Sequence, residues 1–313
     1  MPTNSDSGAL GVLFLYRILL LNEYVGRIVS TSKATTPEQP ESRVGWVERF
    51  LTRAIWGLLY AGTFIASLFV GRYTTAIYIA IVSGLCCFEF FRMVRRDGKV
   101  PNVVLGLITS VLFPLSALGR QAYLLATIFV LFLSVGLWYV YSPRTRIADI
   151  ATTVFGPLYT GFMLSAIVLT RTSIDGWQGA LLSVGVCASL WLSDSFAYMF
   201  GTRFGKHKMV PKISPKKSWE GFVAGLVGSV LIWLILAATG FYKLDISYAV
   251  ICGLVVSVMG VFGDLIESRI KRAVGVKDSG DIIPGHGGML DRMDSLIFGC
   301  ITAHLMLSLG GVL

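Results

Sequence analysis

Nine apolar stretches of about 20 residues each dominate this chain of 313 residues, 54% of which are hydrophobic. They start near Ala54, Ala76, Asn102, Gln121, Ala148, Trp177, Trp219, Ile246 and Ser295. A stretch of that length spans the hydrocarbon core of a bilayer, where water is absent and every backbone polar group must be paired within the segment. The pattern therefore predicts an all-α, polytopic integral membrane protein with about nine transmembrane helices.

Lys and Arg are distributed unevenly between the loops that join these stretches. If nine helices alternate, one side carries 17 of the 27 basic residues, in Arg92–Lys99, Arg144–Arg146, Arg203–Lys217 and Arg269–Arg292. The opposite side carries four, and the remaining six precede the first helix. Basic loops stay in the cytoplasm. We therefore expect a cell inner (cytoplasmic) membrane protein with a cytoplasmic N-terminus and an extracytoplasmic C-terminus.

The net charge of +9 suits binding to anionic lipid and to polyanionic substrates. Basic loops alone, however, specify only the topology of a membrane protein.

The first 50 residues differ from the rest and are treated as an N-terminal extension, with a transmembrane domain over 51–313. Residues 9–21 are apolar but short and contain Arg17, which favours an interfacial helix. Residues 33–48 are polar and contain prolines, as is typical of a flexible linker. The five cysteines fall inside the apolar stretches, so packing is their expected role.

The densest charge in the chain lies between Asp264 and Asp294, where twelve of 31 side chains are ionisable. Charge at a membrane edge is costly and marks a functional site by default. One helical face is shared by Asp264, Glu267, Ser268 and Lys271, which are spaced i, i+3, i+4 and i+7. Asp291 and Asp294 open the last helix, so two helix ends can present three carboxylates to one point. Such hard oxygen ligands suit Mg²⁺, and the alternative is that they only cap helices and form salt bridges.

A glycine-rich turn, containing Gly287 and Gly288, lies between these two helix ends. Glycine lets backbone N–H groups approach a phosphate closely. His286, in the same turn, is a candidate phosphate donor or proton carrier. Most glycine-rich turns only reverse the chain, but the position of this one between two acidic groups favours phosphate binding.

A second polar segment, Gly201–Gly221, carries six cations and one acid, Glu220. Lysine ammonium groups and an arginine fork are what a triphosphate requires. The spacing of a P-loop is absent. The alternative interpretation is an ordinary positive-inside loop.

Two carboxylates occur within apolar stretches. Asp194 lies about two turns before a cytoplasmic helix end, on the same face as Tyr198, and should face a polar cavity or a cation. Glu89 lies near the end of the second stretch, where pairing with Arg92 three residues later favours a structural role.

Three blocks of residues resemble the phosphatidate cytidylyltransferase, or CDP-diacylglycerol synthase, family over about residues 54–313. The first block comprises Ser268, Ile270, Lys271, Arg272, Lys277, Asp278, Gly280, Ile283, Pro284, His286, Gly287, Gly288, Met289, Asp291, Arg292, Met293 and Asp294. The others comprise Asp194, Ser195, Ala197 and Tyr198, and Lys206, Lys208, Ser214, Pro215, Lys216, Lys217, Ser218, Glu220 and Gly221.

The resemblance implies that CTP and phosphatidate give CDP-diacylglycerol and pyrophosphate in phospholipid biosynthesis. It also implies a helical membrane fold, Mg²⁺ dependence and a homodimer, with no nucleic acid partner. It leaves room for a monovalent cation such as K⁺ at the same metal site. The expected reaction is metal-assisted in-line attack of the lipid phosphate on the α-phosphorus of CTP, at the cytoplasmic helix ends.

The motifs and the family resemblance together predict three overlapping sets of functional residues. The expected catalytic residues are Asp264, Ser268, Lys271, His286, Asp291 and Asp294. The expected metal ligands are Asp264, Asp291 and Asp294. The expected substrate-binding residues are Asp194, Lys206, Lys208, Ser214, Lys216, Lys217, Ser218, Glu220, Arg272, Lys277, Asp278, Gly287, Gly288 and Arg292.

Two other classes of membrane protein remain as alternatives. A transporter or flippase of an anionic lipid also has intramembrane carboxylates and basic loops, but its charges are expected to be spread along mid-membrane helices. Here the charges crowd the helix ends. A CDP-alcohol phosphotransferase would need its own Asp- and Gly-containing pattern, which is not found in this sequence.

Overall fold

The computed structural model describes residues 43–282 and 287–313, with side chains from residue 55 onward. The expected interfacial helix over residues 9–21 and the candidate residue His286 lie outside the described residues. The expected linker over 33–48 is wrong at its C-terminal end, because a helix already begins at Arg43. Its remaining part also lies outside the described residues.

Helices make up most of the described chain. They are α1 Arg43–Val70, α2 Arg72–Arg96, α3 Val103–Ser116, α4 Gln121–Tyr141, α5 Ile147–Pro157, α6 Met163–Ser173, α7 Gly176–Phe204, α8 Trp219–Ala238, α9 Ile246–Ala273 and α10 Leu290–Leu309. A single π-helical turn, Leu158–Phe162, joins α5 to α6, so residues 147–173 form one continuous rod. A helix therefore covers each of the nine apolar stretches.

Six of the described helical rods are long and apolar enough to cross a membrane. They are Arg72–Arg96, Gln121–Tyr141, Ile147–Ser173, Gly176–Phe204, Trp219–Ala238 and Ile246–Ala273. Two shorter apolar helical segments, Ile55–Val70 and Val103–Ser116, accompany them. The fold is thus that of an all-α multi-pass membrane protein, and the number of nine spans stays a prediction.

One β-hairpin interrupts the helical architecture, which the sequence analysis did not anticipate. Strands β1, Lys208–Val210, and β2, Ser214–Ser218, pair antiparallel, with Lys208 opposite Ser218. A residue before proline avoids helical backbone angles, and both Val210 and Ser214 precede a proline. Proline is tolerated in so short an edge ribbon. The hairpin links α7 to α8 and carries much of the basic segment.

Glycines allow close packing of the helices that carry the polar residues. A Cβ built at Gly225 would lie 3.0 Å from the Ser193 carbonyl oxygen, and one at Gly253 would lie 2.7 Å from the Val230 Cα. Helices in lipid associate through such small residues because their backbones can then approach closely. Helices α7, α8, α9 and α10 consequently form one tight group.

Candidate active site

Three carboxylates from three helices meet at one end of this group. They belong to Asp194 of α7, Asp264 of α9 and Asp294 of α10, and Asp294 interacts electrostatically with the other two. The backbones of α9 and α10 are in contact here, since a Cβ at Gly263 would collide with the Asp294 carbonyl oxygen. The convergence of Asp264 and Asp294 agrees with the expectation from their positions at two helix ends.

Few cations offset this negative charge. Lys217 Nζ lies 2.7 Å from Asp264 Oδ2, and Ser268 Oγ donates to Asp264 Oδ1 at 3.1 Å. Ser295 donates its Oγ to Asp194 Oδ2 at 3.0 Å and its N–H to Asp294 Oδ1 at 2.7 Å. Among the described residues, neither Asp194 nor Asp294 forms an ion pair. Carboxylates therefore outnumber the cations that pair with them in this cluster, and a bound cation would stabilise their ionised forms.

Asp291 lies beside this cluster but points to different partners. Its Oδ1 accepts from Lys271 Nζ at 2.6 Å, and its Oδ2 accepts from the backbone N–H groups of Ser279 and Gly288, both at 3.0 Å. Lys271 also lies 3.1 Å from the buried carboxylate of Glu267. Of the three expected metal ligands, Asp264 and Asp294 come together with Asp194, whereas Asp291 is occupied by Lys271 and the glycine turn.

Two cavities of about 280 Å³ each open on either side of Asp194, which lines both. The first, here called the aromatic cavity, is also lined by Trp56, Gly57, Tyr60, Ala61, Trp191, Asp291, Arg292, Asp294 and Ser295. The second, the hairpin cavity, is lined by Ala197, Tyr198, Met209, Ser214, Lys216, Lys217, Ser218, Gly221, Phe222, Val261 and Asp264. Asp194 thus faces two cavities whose walls combine charged and apolar side chains, where the sequence predicted a polar cavity or a cation.

Some of the expected substrate-binding residues shape the hairpin itself. Glu220 accepts from the His207 backbone N–H at 3.2 Å and contacts the His207 ring Nδ1 at 2.7 Å, so it closes the base of the hairpin. Ser218 Oγ accepts from the Gly221 N–H at 3.2 Å and caps α8. Lys206 and Lys208 are exposed at the start of the same segment.

The remaining expected residues lie in the loop that follows α9. Arg272 donates to the carbonyl oxygens of Ile213 and Val276, at 3.5 and 3.0 Å, and so links this loop to the hairpin turn. Lys277 and Asp278 are exposed. Gly287 has a φ of 85°, which favours glycine at that position.

Glu89 has hydrogen-bond partners that its position in the sequence did not predict. Its buried carboxylate accepts hydrogen bonds from Ser279 Oγ and from the backbone N–H groups of Met289 and Leu290. The proposed partner, Arg92, has its Nη1 2.8 Å from Asp281 Oδ1, and this hydrogen bond lowers the pKa of Asp281. A glutamate within an apolar stretch was the available signal, but its partners lie about 200 residues away in sequence.

The carboxylate oxygens suit a hard divalent cation such as Mg²⁺. Among residues 55–282 and 287–313, no three His, Cys, Asp or Glu side chains are arranged as a ready set of ligands for one ion. Mg²⁺ does not need such a cage, because it retains several waters and binds through one or two carboxylates plus substrate phosphates. The chemistry of Asp264 and Asp294, with Asp194 beside them, therefore fits the ion.

Comparisons with known proteins agree with these features. The model of the cytidylyltransferase family matches residues 51–309. The chain is 32% identical to the phosphatidate cytidylyltransferase of Mycobacterium bovis and 30% identical to that of Bacillus subtilis. These alignments cover 87% and 82% of this chain, and 93% and 97% of the relatives. A phosphatidate cytidylyltransferase of Staphylococcus haemolyticus is 40% identical over 155 residues, which are 50% of this chain and 58% of that protein.

Proposed function

Because this chain belongs to the cytidylyltransferase family, we propose that it transfers the cytidylyl group of CTP to phosphatidate, giving CDP-diacylglycerol and pyrophosphate. One observation carries the proposal. Two carboxylates, Asp194 and Asp264, share one cavity with the hairpin lysines, and Asp194 and Asp294 share an adjoining cavity that has an arginine and aromatic walls. Transfer of a cytidylyl group from a nucleotide to a lipid needs a charged surface for the phosphates and an apolar surface for the lipid.

The reaction makes modest demands on acid–base chemistry. A phosphomonoester has its second pKa near about 6, so the phosphate of phosphatidate is already mostly dianionic at neutral pH. It can attack the α-phosphorus of CTP without a strong general base. The obstacle is the repulsion between two phosphate-bearing substrates, and the protein must neutralise that charge and align the reacting groups.

The residues that line the two cavities suggest which substrate binds in each. Lys216 and Lys217 line the hairpin cavity, where ammonium groups can neutralise the triphosphate of CTP. Arg292 lines the aromatic cavity with Trp56 and Tyr60, which suits a lipid phosphate next to an apolar glycerol and acyl region. Asp194 lies between them, so the reacting groups would meet at the carboxylate cluster.

A divalent cation would supply charge neutralisation and a fixed geometry for the phosphates. Asp264 and Asp294 are the residues best suited to hold it, and Asp194 and Asp291 line the same aromatic cavity as Asp294. Lys217 and Ser268 orient the Asp264 carboxylate, and Lys271 orients that of Asp291. Mg²⁺, with K⁺ as an additional cation, is our proposal for this site.

The proposal includes a membrane arrangement. CTP is a cytosolic nucleotide, so the carboxylate cluster and the hairpin are assigned to the cytoplasmic face of the inner membrane. Nine spans then leave the N-terminus in the cytoplasm and the C-terminus outside. A homodimer is part of the same proposal, and it rests on the family resemblance.

The experiment is an assay of the purified protein in detergent with CTP, phosphatidate and Mg²⁺, measuring pyrophosphate and CDP-diacylglycerol. We expect both products in equal amounts, and none when phosphatidate or Mg²⁺ is omitted. Diacylglycerol, which lacks the phosphate nucleophile, serves as the matched control substrate. Pyrophosphate release that is independent of phosphatidate would contradict the proposal.

A further inference from the structure

Glu89 of α2 makes an unusual set of contacts for a carboxylate within an apolar helix. The residue is 0% exposed. Its Oε1 accepts from the Met289 N–H at 3.0 Å, and its Oε2 accepts from the Leu290 N–H at 2.8 Å and from Ser279 Oγ at 2.9 Å. Met289 and Leu290 are the cap and first residue of α10, whose unpaired N–H groups favour a negative charge. Glu89 therefore caps α10 from a different helix.

Two glycines allow the chain to close around this carboxylate. A Cβ at Gly280 would collide with the Glu89 carboxylate, and a Cβ at Gly288 would collide with Ser279 Oγ and approach Glu89 Oε2. The loop after α9 and the start of α10 thus contact Glu89 at distances that only glycine permits. This fit fixes the position of both segments relative to α2.

Asp291 also accepts hydrogen bonds from the loop after α9 and from the residues just before α10. Ser279 donates its Oγ to Glu89 and its backbone N–H to Asp291, and Gly288 next to Met289 donates to Asp291. Glu89 and Asp291 consequently share one network of charge-assisted hydrogen bonds. A displacement of either segment from Glu89 would move Asp291, its partner Lys271 and, one turn along α10, Asp294.

We propose that Glu89 is a positioning residue of the active site, whose carboxylate sets where Asp291 and Asp294 of α10 lie relative to Asp264 of α9. It touches neither substrate nor metal, and it acts through the backbone of α10. The proposal rests on the proposed function, in which those aspartates handle a metal ion and phosphates. It assigns to α2 a part in a site built otherwise from α1, α7 to α10 and the hairpin.

The test compares Glu89→Gln with the native protein. Glutamine has nearly the same shape, but its amide NH₂ cannot accept the hydrogen bonds that one carboxylate oxygen accepts. Small displacements of reacting groups are costly, so we expect kcat to fall about 100-fold with a much smaller change in the KM for CTP. Glu89→Asp keeps the charge but is shorter, and we expect it to recover part of the lost kcat.

A second measurement is independent of turnover. Mn²⁺, which can replace Mg²⁺ at oxygen sites, is titrated into the purified protein and followed by electron paramagnetic resonance. Residues that orient metal ligands typically change metal affinity, so we expect Glu89→Gln to weaken Mn²⁺ binding about 10- to 100-fold. If the native protein binds Mn²⁺ and Glu89→Gln weakens it, the positioning role holds even if no cytidylyl transfer is detected.

A matched control separates positioning from general stability. Thr75 is a buried residue of the same helix, far from the cluster, and its Oγ1 donates to the carbonyl oxygens of Ser67 and Gly71, both at 2.9 Å. Thr75→Val should lower thermal stability in detergent but leave kcat per folded molecule and Mn²⁺ affinity unchanged.

A second variant covers the case in which Glu89→Gln does not fold. Ser279→Ala removes one donor to Glu89, and we expect it to lower kcat and Mn²⁺ affinity by less than Glu89→Gln does. Native kcat and Mn²⁺ affinity in the foldable variants would overturn the proposal.

Discussion

The two polar regions that flank the carboxylate cluster are built in opposite ways. On one side, the hairpin presents Lys206, Lys208 and Lys216 on exposed positions of a short ribbon. On the other side, the start of α10 is buried, packed around glycines and held by Glu89 and Asp291. Under the proposed function, the charges that bind the nucleotide lie on an exposed surface. The groups that must keep a fixed geometry lie in a buried frame, where hydrogen bonds to Glu89 and Asp291 hold the start of α10.

The largest expected effect concerns the carboxylate at the border of the two regions. Asp264→Asn should lower kcat by about 10²- to 10³-fold, because it removes a carboxylate that would hold the divalent cation beside the reacting phosphates while keeping the shape of the side chain. Pyrophosphate release by purified protein measures this. Asp245→Asn alters the cap at the opposite end of the same helix, where Asp245 accepts from the Ser247 N–H, and should leave turnover unchanged. Near-native turnover of Asp264→Asn at limiting Mg²⁺ would show that Asp264 is not a metal ligand.

The next effect tests whether the α10 side is a rigid frame. Asp291→Asn should lower turnover and also reduce the free energy of unfolding by about 3 kcal/mol, since it breaks a nearly buried ion pair with Lys271. Chemical unfolding in detergent micelles measures the change. Asp281→Asn breaks a pair that is 61% exposed on the aspartate side, so its cost should stay below about 1 kcal/mol. Equal costs for the two variants would contradict the idea of a buried frame.

The hairpin side should behave in the reverse way. Lys216→Gln should raise the KM for CTP about tenfold, equivalent to about 1.4 kcal/mol, with little change in stability, because it removes an exposed phosphate-binding charge. Lys212, in the same hairpin, is exposed but does not line the cavity, so Lys212→Gln is the matched control. If both variants had the same KM as the native protein, the hairpin lysines would be determinants of topology only.

The smallest functional effect is expected from a probe of sidedness. Ile282 is 37% exposed in the loop before α10, and Ile282→Cys should retain activity and react only with reagents added from the cytoplasm. All five native cysteines are buried, so the parent protein serves as the unlabelled control. Ser279 is unsuitable for this purpose, because it is 4% exposed and bonded to Glu89. A reporter fused after Leu313 should be extracytoplasmic. Labelling of Ile282→Cys from outside the cell would place the proposed site on the opposite side of the membrane from CTP and would contradict the assignment.

The sequence predicted features that depend on local spacing. Hydrophobic length gave the helices, and the i, i+4 rule correctly put Ser268 beside Asp264 and Lys271 beside Glu267. It also placed Asp264 and Asp294 at adjoining helix ends. The hairpin was missed because short strands with prolines and lysines have no hydrophobic alternation to detect. The contacts of Glu89, and the place of Asp194 beside Asp294, depend on how distant helices pack, and periodicity carries no information about that.

The contact between Glu89 and Leu290 has a consequence for how the protein is made. Its two partners are 201 residues apart, so the first half of the bundle is synthesised long before the segment that Glu89 caps. Until α10 leaves the ribosome and enters the membrane, Glu89 is a glutamate in an apolar helix without its native donors, a state that lipid disfavours. The site can therefore be completed only after α10 has been synthesised and inserted. A chain truncated before Leu290 would lack α10, and its Glu89 carboxylate would lose the N–H donor of Leu290.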